Sequence, residues 1–193
     1  MNTRRTLVAA AASSMASAAL LAGSLATGTA TASTVSTEAE ASAQARPAFK
    51  VPFRCGQTWR ADTRDGHSPS RYAIDFNRGG GNDDLGLPAV ASAAGTVTKV
   101  RRLTTSYGHY VEISHGGGWS TLYAHLQEGS INVSEGQRVT ATTQVGKVGS
   151  SGGDFTSHLH YEQKLNGAVQ RAVMGGRAAT YPATPGPSFT RPC

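Results

Sequence analysis

Between residues 90 and 165 the chain alternates short apolar or β-branched runs with glycine-containing turns. The segment YVEISH at 110–115 has apolar side chains at every second position, which is the period of a half-buried β-strand. Three glycines follow at 116–118, and a second apolar-rich run covers 119–126. Two such runs around a glycine turn predict a β-hairpin.

Further strands are predicted on both sides of this hairpin. They cover residues 90–100 and 159–165, and residues 137–148 are predicted to form another strand pair around Gly146. Asn166-Gly167, directly after the last strand, is a favoured two-residue hairpin turn. No segment has a long apolar stripe at the helical period of 3.6 residues. We therefore expect an all-β domain of mainly antiparallel sheet with few or no helices, ending in an extended, proline-rich tail at 180–193.

The N-terminal segment predicts export rather than a part of the fold. Arg4 and Arg5 precede a weakly apolar stretch, and Ala30-Thr31-Ala32 fits a signal-peptidase site, so residues 1–32 are read as a signal peptide. A membrane anchor is the alternative, but a span needs about 20 strongly apolar residues. Residues 33–45 lack aromatics and read as a disordered linker or short pro-segment. The ordered domain is then 46–193, and the export route stays open.

Composition agrees with a turn-rich β protein, because 23 residues are glycine and 16% are charged. The net charge is +6, and from residue 46 onward 16 Lys/Arg against 10 Asp/Glu again give +6. An exported basic domain suits anionic cell-wall polymers better than nucleic acid. A basic surface without a specific partner is the alternative. We expect a monomer with no stable membrane insertion after processing.

The two cysteines, Cys55 and Cys193, lie at the two ends of the expected domain. Exported proteins meet an oxidising environment, so a disulfide between them is expected. Closing a loop of more than a hundred residues stabilises a fold by about 4–5 kcal/mol in the chain-entropy model. A zinc role for these cysteines is not favoured, since the chain has no CxxC pair.

Two of the six histidines form an H-x-H pair, His158 and His160, on a predicted strand. Residues two apart on a strand project to the same face, so both can share a metal, or one binds the metal while the other acts on the substrate. Asp75, between two apolar residues, is either a buried anion that needs a cation or a turn cap. His125, also flanked by apolar residues, is by itself more typical of a core histidine.

Taken together, these residues favour a catalytic metal site over a separate structural role for each of them. Two histidines and one carboxylate with an open fourth position are typical of a catalytic zinc site. Further histidines beside such a site can transfer protons. Zinc also makes hydroxide available near neutral pH.

Four motifs in order resemble the M23 family of zinc endopeptidases, of the lysostaphin and β-lytic type. They are LPAVASAAGTV at 87–97, YGHYVEISHG at 107–116, TLYAHL at 121–126, and VGSSG at 148–152 followed by HLHYE at 158–162. The resemblance implies a lysostaphin-type fold, one Zn²⁺, and Asp75 and His160 as zinc ligands. It also implies that His158 is the general base, and that His125 stabilises the developing oxyanion or assists protonation.

The sequence departs from the family pattern at Arg71, where most members have a histidine ligand four residues before the aspartate. His67 is the only histidine upstream of Asp75, and the β-lytic branch tolerates a longer spacing, so the resemblance implies His67 as the third ligand. The alternative is a degraded zinc site. His109 is read as a surface residue, and His115 as structural or groove-lining.

The resemblance implies a secreted zinc endopeptidase, extracellular or associated with the cell wall, that hydrolyses peptide bonds of bacterial peptidoglycan. Cross-bridge and stem-peptide bonds, including glycyl bonds, stay open. One alternative is a non-catalytic M23-fold protein that binds the wall or regulates other enzymes. Another is a secreted carbohydrate-binding β protein with a structural metal.

Overall fold

The computed structural model describes residues 45–193. The predicted signal peptide and almost all of the predicted linker lie outside the described residues. The described chain contains thirteen strands and no helix, which confirms the predicted all-β class. The strands are β1 Thr58–Asp62, β2 Ile74–Asn77, β3 Pro88–Val90, β4 Gly95–Arg102, β5 His109–Gly116, β6 Trp119–Ala124, β7 Arg138–Val139, β8 Gln144–Lys147, β9 Leu159–Leu165, β10 Ala168–Gln170, β11 Val173–Met174, β12 Arg177–Ala178 and β13 Ser188–Thr190.

Nine of the strands form one antiparallel sheet in the order β13-β1-β2-β9-β6-β5-β4-β7, with β10 also paired to β9. Two small two-stranded sheets, β3 with β8 and β11 with β12, complete the fold. β9 is central, because β2 and β10 pair along one edge and β6 along the other. Side chains from β2, β6 and β9 therefore meet in the middle of the sheet.

Two of the predicted hairpins are present, and the strand pair predicted around Gly146 is wrong, because Gly146 lies inside β8, which pairs with β3, while β7 pairs with β4. β5 and β6 pair around a turn at Gly117 and Gly118, which have φ of 56° and 76°. β9 and β10 pair around Asn166 and Gly167, with φ of 49° and 82°. Positive φ at both turn residues matches the right-handed twist of the flanking strands, which explains the Asn-Gly sequence.

One face of the sheet covers the hydrophobic core. Leu159 and Tyr161 of β9 are fully buried in it, and Phe76 of β2 packs against Tyr161. Trp59 of β1 stacks on Phe53 with ring centroids 3.6 Å apart. Because side chains alternate along a strand, burial of these residues turns the intervening residues of β2 and β9 towards the opposite face.

The C-terminal segment differs from the predicted tail. Ser188–Thr190 forms β13, which pairs with β1 and makes one edge of the large sheet. Phe189 is the physical reason, since its ring is buried in the core. The expected disulfide is confirmed: Cys55 and Cys193 are bonded across 138 positions, with Cα atoms 4.7 Å apart.

Within residues 45–193, no helix is long and apolar enough to cross a membrane.

Candidate active site

Asp75 and His160 face each other across the β2–β9 pair. They are direct register partners, and both are buried, at 4% and 2% exposure. Their side chains point away from the core because their strand neighbours point into it. Asp75 therefore lies inside a strand, and its interpretation as a turn cap is wrong.

His67 reaches the same place from the loop between β1 and β2. Its Nε2 lies 3.2 Å from Asp75 Oδ1, and His160 Nδ1 lies 3.2 Å from the same oxygen. One ligand atom from each of these three buried residues lies within 4.8 Å of the other two. Arg71 is directed elsewhere and pairs with the exposed Asp65 at 3.2 Å. The departure from the family pattern at Arg71 therefore leaves a three-residue cluster in place.

The hydrogen bonds of His160 suggest what this cluster holds. Its Nε2 lies 3.0 Å from Glu162 Oε1, and a carboxylate only accepts, so Nε2 carries the proton. Nδ1 hydrogen-bonds Asp75 Oδ1 at 3.2 Å, and although burial alone would lower the pKa of His160, Asp75 and Glu162 raise it. With Nε2–H held by Glu162, Nδ1 is the atom on which a metal ion can replace a proton. Two imidazoles and one carboxylate are a donor set that suits Zn²⁺, so these residues fit a metal ion.

Asp75 is held as an anion by its neighbours. Burial alone would raise its pKa, but hydrogen bonds from His160 and His67 hold the pKa of the carboxyl well below its usual range. Arg64 Nη1 donates to the other oxygen, Oδ2, at 2.7 Å. The motifs gave no signal for Arg64, because its loop lies outside them.

Glu162 forms a second layer behind His160. Its carboxylate is fully buried, accepts a hydrogen bond from Tyr107 Oη at 2.7 Å and pairs with Lys164 Nζ at 3.1 Å. Burial favours the neutral acid, yet His160, Lys164 and Tyr107 hold the pKa of Glu162 below its ordinary value. Burial and the charge of Glu162 raise the pKa of Tyr107. The sequence interpretation missed this layer, although the HLHYE motif contains Glu162.

His158 and His125 stand beside the cluster with their rings 4.8 Å apart. His158 Nδ1 lies 2.9 Å from the Thr156 carbonyl, and His125 Nδ1 lies 2.8 Å from the Ser151 carbonyl. Carbonyl oxygens only accept, so each Nδ1 carries a proton and the neutral rings keep a lone pair on Nε2. His158 Nε2 lies 3.6 Å from Asp75 Oδ1. Burial, together with the neighbouring His158, lowers the pKa of His125 to about 4.

A cleft of about 310 Å³ opens over these side chains. Phe155 forms an apolar wall, with its ring 4.5 Å from His125 and 5.0 Å from His158. The remaining lining is polar. It consists of Asp62, Arg64, His67, Ser68, Asp75, Asn77, Thr156, His160 and Thr184. The cleft thus brings all five predicted site residues to one surface.

The two remaining histidines lie outside the cluster. His115 bonds the Ala94 carbonyl through Nδ1 and Thr121 Oγ1 through Nε2, both at 2.8 Å, and its ring contacts Phe49. These contacts give His115 a structural role, which is one of the two roles predicted for it. His109 is half-buried and lines a different groove at the surface.

The profile described as "Peptidase family M23" matches residues 71–172, more than half of the chain. The chain belongs to peptidase family M23. The matched segment contains Asp75, His125, His158 and His160, whereas His67 precedes it.

Named relatives agree with this M23 assignment. The beta-lytic metalloendopeptidase of Lysobacter enzymogenes is 32% identical over 133 residues, which cover 62% of this chain and 70% of that one. The cell division protein DipM of Caulobacter vibrioides (strain NA1000 / CB15N) is 32% identical over 140 residues, 69% of this chain. This M23 chain spans 21% of DipM, about a fifth of that relative's length.

A solved M23 structure has the same fold. The catalytic domain of the prophage-encoded M23 protein EnpA from Enterococcus faecalis, crystallised as an A109H mutant, superposes with a TM-score of 0.51 at 26% identity. The superposition covers 64% of this chain and 95% of that domain. An M23 fold with a buried His–Asp–His cluster is therefore a metallopeptidase framework with a fitting metal site.

Proposed function

We propose that this chain is a secreted zinc endopeptidase, extracellular or associated with the cell wall, that hydrolyses peptide bonds of bacterial peptidoglycan. The observation that carries the proposal is the convergence of nitrogen atoms from His67, His160 and His158 on one oxygen of Asp75, at 3.2, 3.2 and 3.6 Å. Such a cluster beside a cleft fits a metal site with a neighbouring proton acceptor. Membership of the M23 family gives the reaction class.

His67, Asp75 and His160 are the proposed zinc ligands. Glu162 fixes the His160 tautomer that leaves Nδ1 free to bind, and Arg64 holds the Asp75 oxygen that the histidines do not face. When bound, zinc polarises the scissile carbonyl and lowers the pKa of water. The chain's own residues hold the ion, orient the substrate and move the protons.

His158 is the proposed general base. Its Nδ1–H is anchored on the Thr156 carbonyl, so its Nε2 can accept a proton from the attacking water. The resulting imidazolium can donate that proton to the leaving amine. The exposure of its side chain, 14%, leaves it accessible from the cleft.

His125 is the proposed second catalytic histidine. A pKa of about 4 keeps it neutral at physiological pH, with a lone pair on Nε2. A neutral ring in this tautomer cannot donate a hydrogen bond through Nε2 to an oxyanion. The geometry therefore favours assistance in proton transfer over direct stabilisation of the oxyanion.

Peptidoglycan as substrate and export of the chain are supported by family membership and sequence. A signal peptide at 1–32, a linker at 33–45, a domain at 46–193 and a basic net charge of +6 all agree with action outside the cell on an anionic wall. The cleft's polar lining suits a hydrated peptide backbone. A monomer is sufficient, since all five site residues come from one chain.

The test measures bound zinc and the release of free amines from purified peptidoglycan, using protein expressed from the full chain. The parent is expected to hold about one zinc and to release amines, and His67→Ala to lose both. His158→Ala is expected to keep zinc and to lose turnover by about 10² to 10⁴, the usual effect of an acid–base group.

Arg71→Gln is the matched control, because Arg71 is exposed and pairs with Asp65 away from the cleft. It should behave as the parent does. A parent that holds no zinc and releases no amines would contradict the proposal. The chain would then be better described as a non-catalytic M23-fold protein that binds or regulates at the wall.

A further inference from the structure

Arg64 lies at the candidate metal cluster with most of its hydrogen-bonding capacity unused. It follows β1, lines the cleft, and its side chain is 59% exposed. Nη1 donates to Asp75 Oδ2 at 2.7 Å, and within residues 45–193 this is the only hydrogen bond of the guanidinium. A guanidinium has five N–H donors in a rigid planar fork. Most of those donors therefore remain available at the cleft.

The contact with Asp75 fixes where these donors lie. Asp75 presents Oδ1 to His67 and His160 and presents Oδ2 to Arg64, so the guanidinium stands beside the same carboxylate that faces the proposed zinc ligands. An arginine fork matches the geometry of a carboxylate, which it binds through two parallel N–H···O bonds. The free part of the fork can therefore receive a second carboxylate next to the reaction centre.

We propose that Arg64 is a substrate-binding residue that recognises a free carboxylate of the peptide, within about two residues of the scissile bond. Arg64 contacts Asp75, a proposed zinc ligand, and two extended residues span at most about 7 Å, so a carboxylate on Arg64 lies within that distance in sequence of the cleaved bond. The proposal rests on the proposed function, because it names the chemical class of substrate that the same site takes. Preferred substrates are peptides with an acidic group beside the cleaved bond.

Other charges in the cleft do not oppose such an anion. Asp62, the second carboxylate of the lining, receives Arg60 Nε on both oxygens, at 2.8 and 2.9 Å. Asn77 Nδ2 adds a hydrogen bond at 3.1 Å. Asp75 is likewise engaged on both oxygens. Arg64 is thus the charged group of the lining whose donors are free to bind substrate.

The test is calorimetric binding to the metal-free full chain, since a bound metal would itself attract a carboxylate. The probes are N-acetyl-triglycine with a free carboxyl terminus and the same peptide as its C-terminal amide. The parent is expected to bind the acid roughly two- to fivefold more tightly than the amide, the usual effect of an ion pair with a solvent-exposed arginine. Arg64→Gln is expected to bind both peptides equally.

Two further variants keep the result interpretable. Arg64→Lys retains a point charge without the fork and should keep part of the preference. Arg71→Gln removes an exposed arginine of the same loop and should keep all of it. Circular dichroism and thermal melting verify that each variant is folded.

A parent that binds the acid and the amide equally, or binds neither, overturns the proposal. So does an Arg64→Gln variant that is folded and keeps the full preference. Neither readout involves zinc or hydrolysis. A parent that holds zinc and cleaves peptidoglycan without a carboxylate preference would therefore contradict only the role of Arg64.

Discussion

The two oxygens of Asp75 have different neighbours, and this division organises the site. Oδ1 faces imidazole nitrogens of His67 and His160, and Oδ2 accepts a hydrogen bond from Arg64. His160 is in turn held through Nε2 by Glu162. Asp75 and His160 are thus each oriented by a neighbour that does not itself face the cluster centre. Such partners usually tune metal affinity as strongly as they tune geometry.

Glu162→Gln is expected to lower zinc affinity by about 10- to 100-fold, the usual cost of losing a partner behind a metal-bound histidine. The amide has nearly the same shape, but it lacks the charge that holds the Nε2 proton of His160. Affinity is measured by competition with a chromophoric zinc chelator. Glu135→Gln, on the exposed surface beside Arg101, is the control. Equal affinities in Glu162→Gln and the parent would show that Glu162 has no such role.

The buried His125 is expected to make the stability of the metal-free protein depend on pH. Burial lowers its pKa from 6.5 to about 4, so between these values the unfolded chain binds more protons than the folded one. The contribution is complete above pH 6.5 and is lost as the pH falls towards 4. Its size is at most about 3 kcal/mol.

Urea unfolding of the chelator-treated protein at pH 7, 6 and 5 measures this effect. As the pH is lowered, the free energy of unfolding should decrease in the parent and decrease less steeply in His125→Gln. His115 contributes in the same direction, because burial also lowers its pKa, and it is present in both proteins. Identical slopes in the two proteins would refute the assignment to His125.

At the scale of single residues, the sequence was informative where a motif fixed spacing. The H-x-H pair and Asp75 could be predicted as a cluster because their residue types are typical of a zinc site. The roles of Arg64 and Glu162 could not be predicted in this way. Arg64 and Asp75 meet only because the β1–β2 loop folds back, and Glu162 depends on the Tyr107 loop, 55 residues away.

At the scale of elements, the pairing of β2 with β9 places the site. Asp75 and His160 are 85 residues apart in sequence and directly opposite in register. A slip of one residue would turn the core residues Phe76 and Leu159 towards the cleft, so the hydrophobic core fixes the register. Strand periodicity predicted the strands, but it carries no information on which distant strands pair. The edge strand β13 was missed for the same reason.

Gly149 contacts the backbone segments of both proposed catalytic histidines. Its carbonyl accepts from the His158 amide at 3.1 Å, and a Cβ at this position would lie 2.8 Å from the His125 carbonyl oxygen and 2.5 Å from the Gln127 amide nitrogen. Backbone atoms cannot yield as a flexible side chain does. Gly149→Ala must therefore displace both histidine segments.

Gly149→Ala is expected to destabilise the fold by about 1–3 kcal/mol, the usual cost of overpacking. It should also reduce turnover by about 10²-fold, because catalytic groups displaced by 1 Å lose activity on that scale. Urea unfolding and amine release from peptidoglycan measure the two effects. Gly80→Ala is the control, since nothing lies within 4 Å of its Cβ position. A Gly149→Ala protein as stable and active as Gly80→Ala would contradict this account of Gly149.

At the scale of the whole molecule, strand pairing and a disulfide join the C-terminal end of the described chain to its N-terminal part. β13 pairs with β1, the strand that leads into the loop with Arg64 and His67, and the disulfide joins Cys55 to Cys193 just beyond that pair. The position of the two cysteines in the sequence predicted the bond, because an exported chain with two cysteines has one way to pair them. Its location beside an edge strand needed the structure.

The double variant Cys55→Ser/Cys193→Ser is expected to lose about 2–5 kcal/mol of unfolding free energy, the usual cost of removing a native disulfide from a small domain. In the chain-entropy model the bond acts on the unfolded chain, whose loop of 138 positions gains freedom when it is cut. The folded variant should therefore keep its zinc content and its turnover at temperatures where it remains native.

Urea unfolding of the parent, of the parent with reductant and of the double variant measures the loss, and the two reduced forms should agree. An unchanged urea midpoint would mean that β13 and its buried Phe189 hold the edge of the sheet without the bond. Loss of zinc from a variant that is still folded would instead mean that the disulfide positions the β1–β2 loop, and that its effect lies in the folded state.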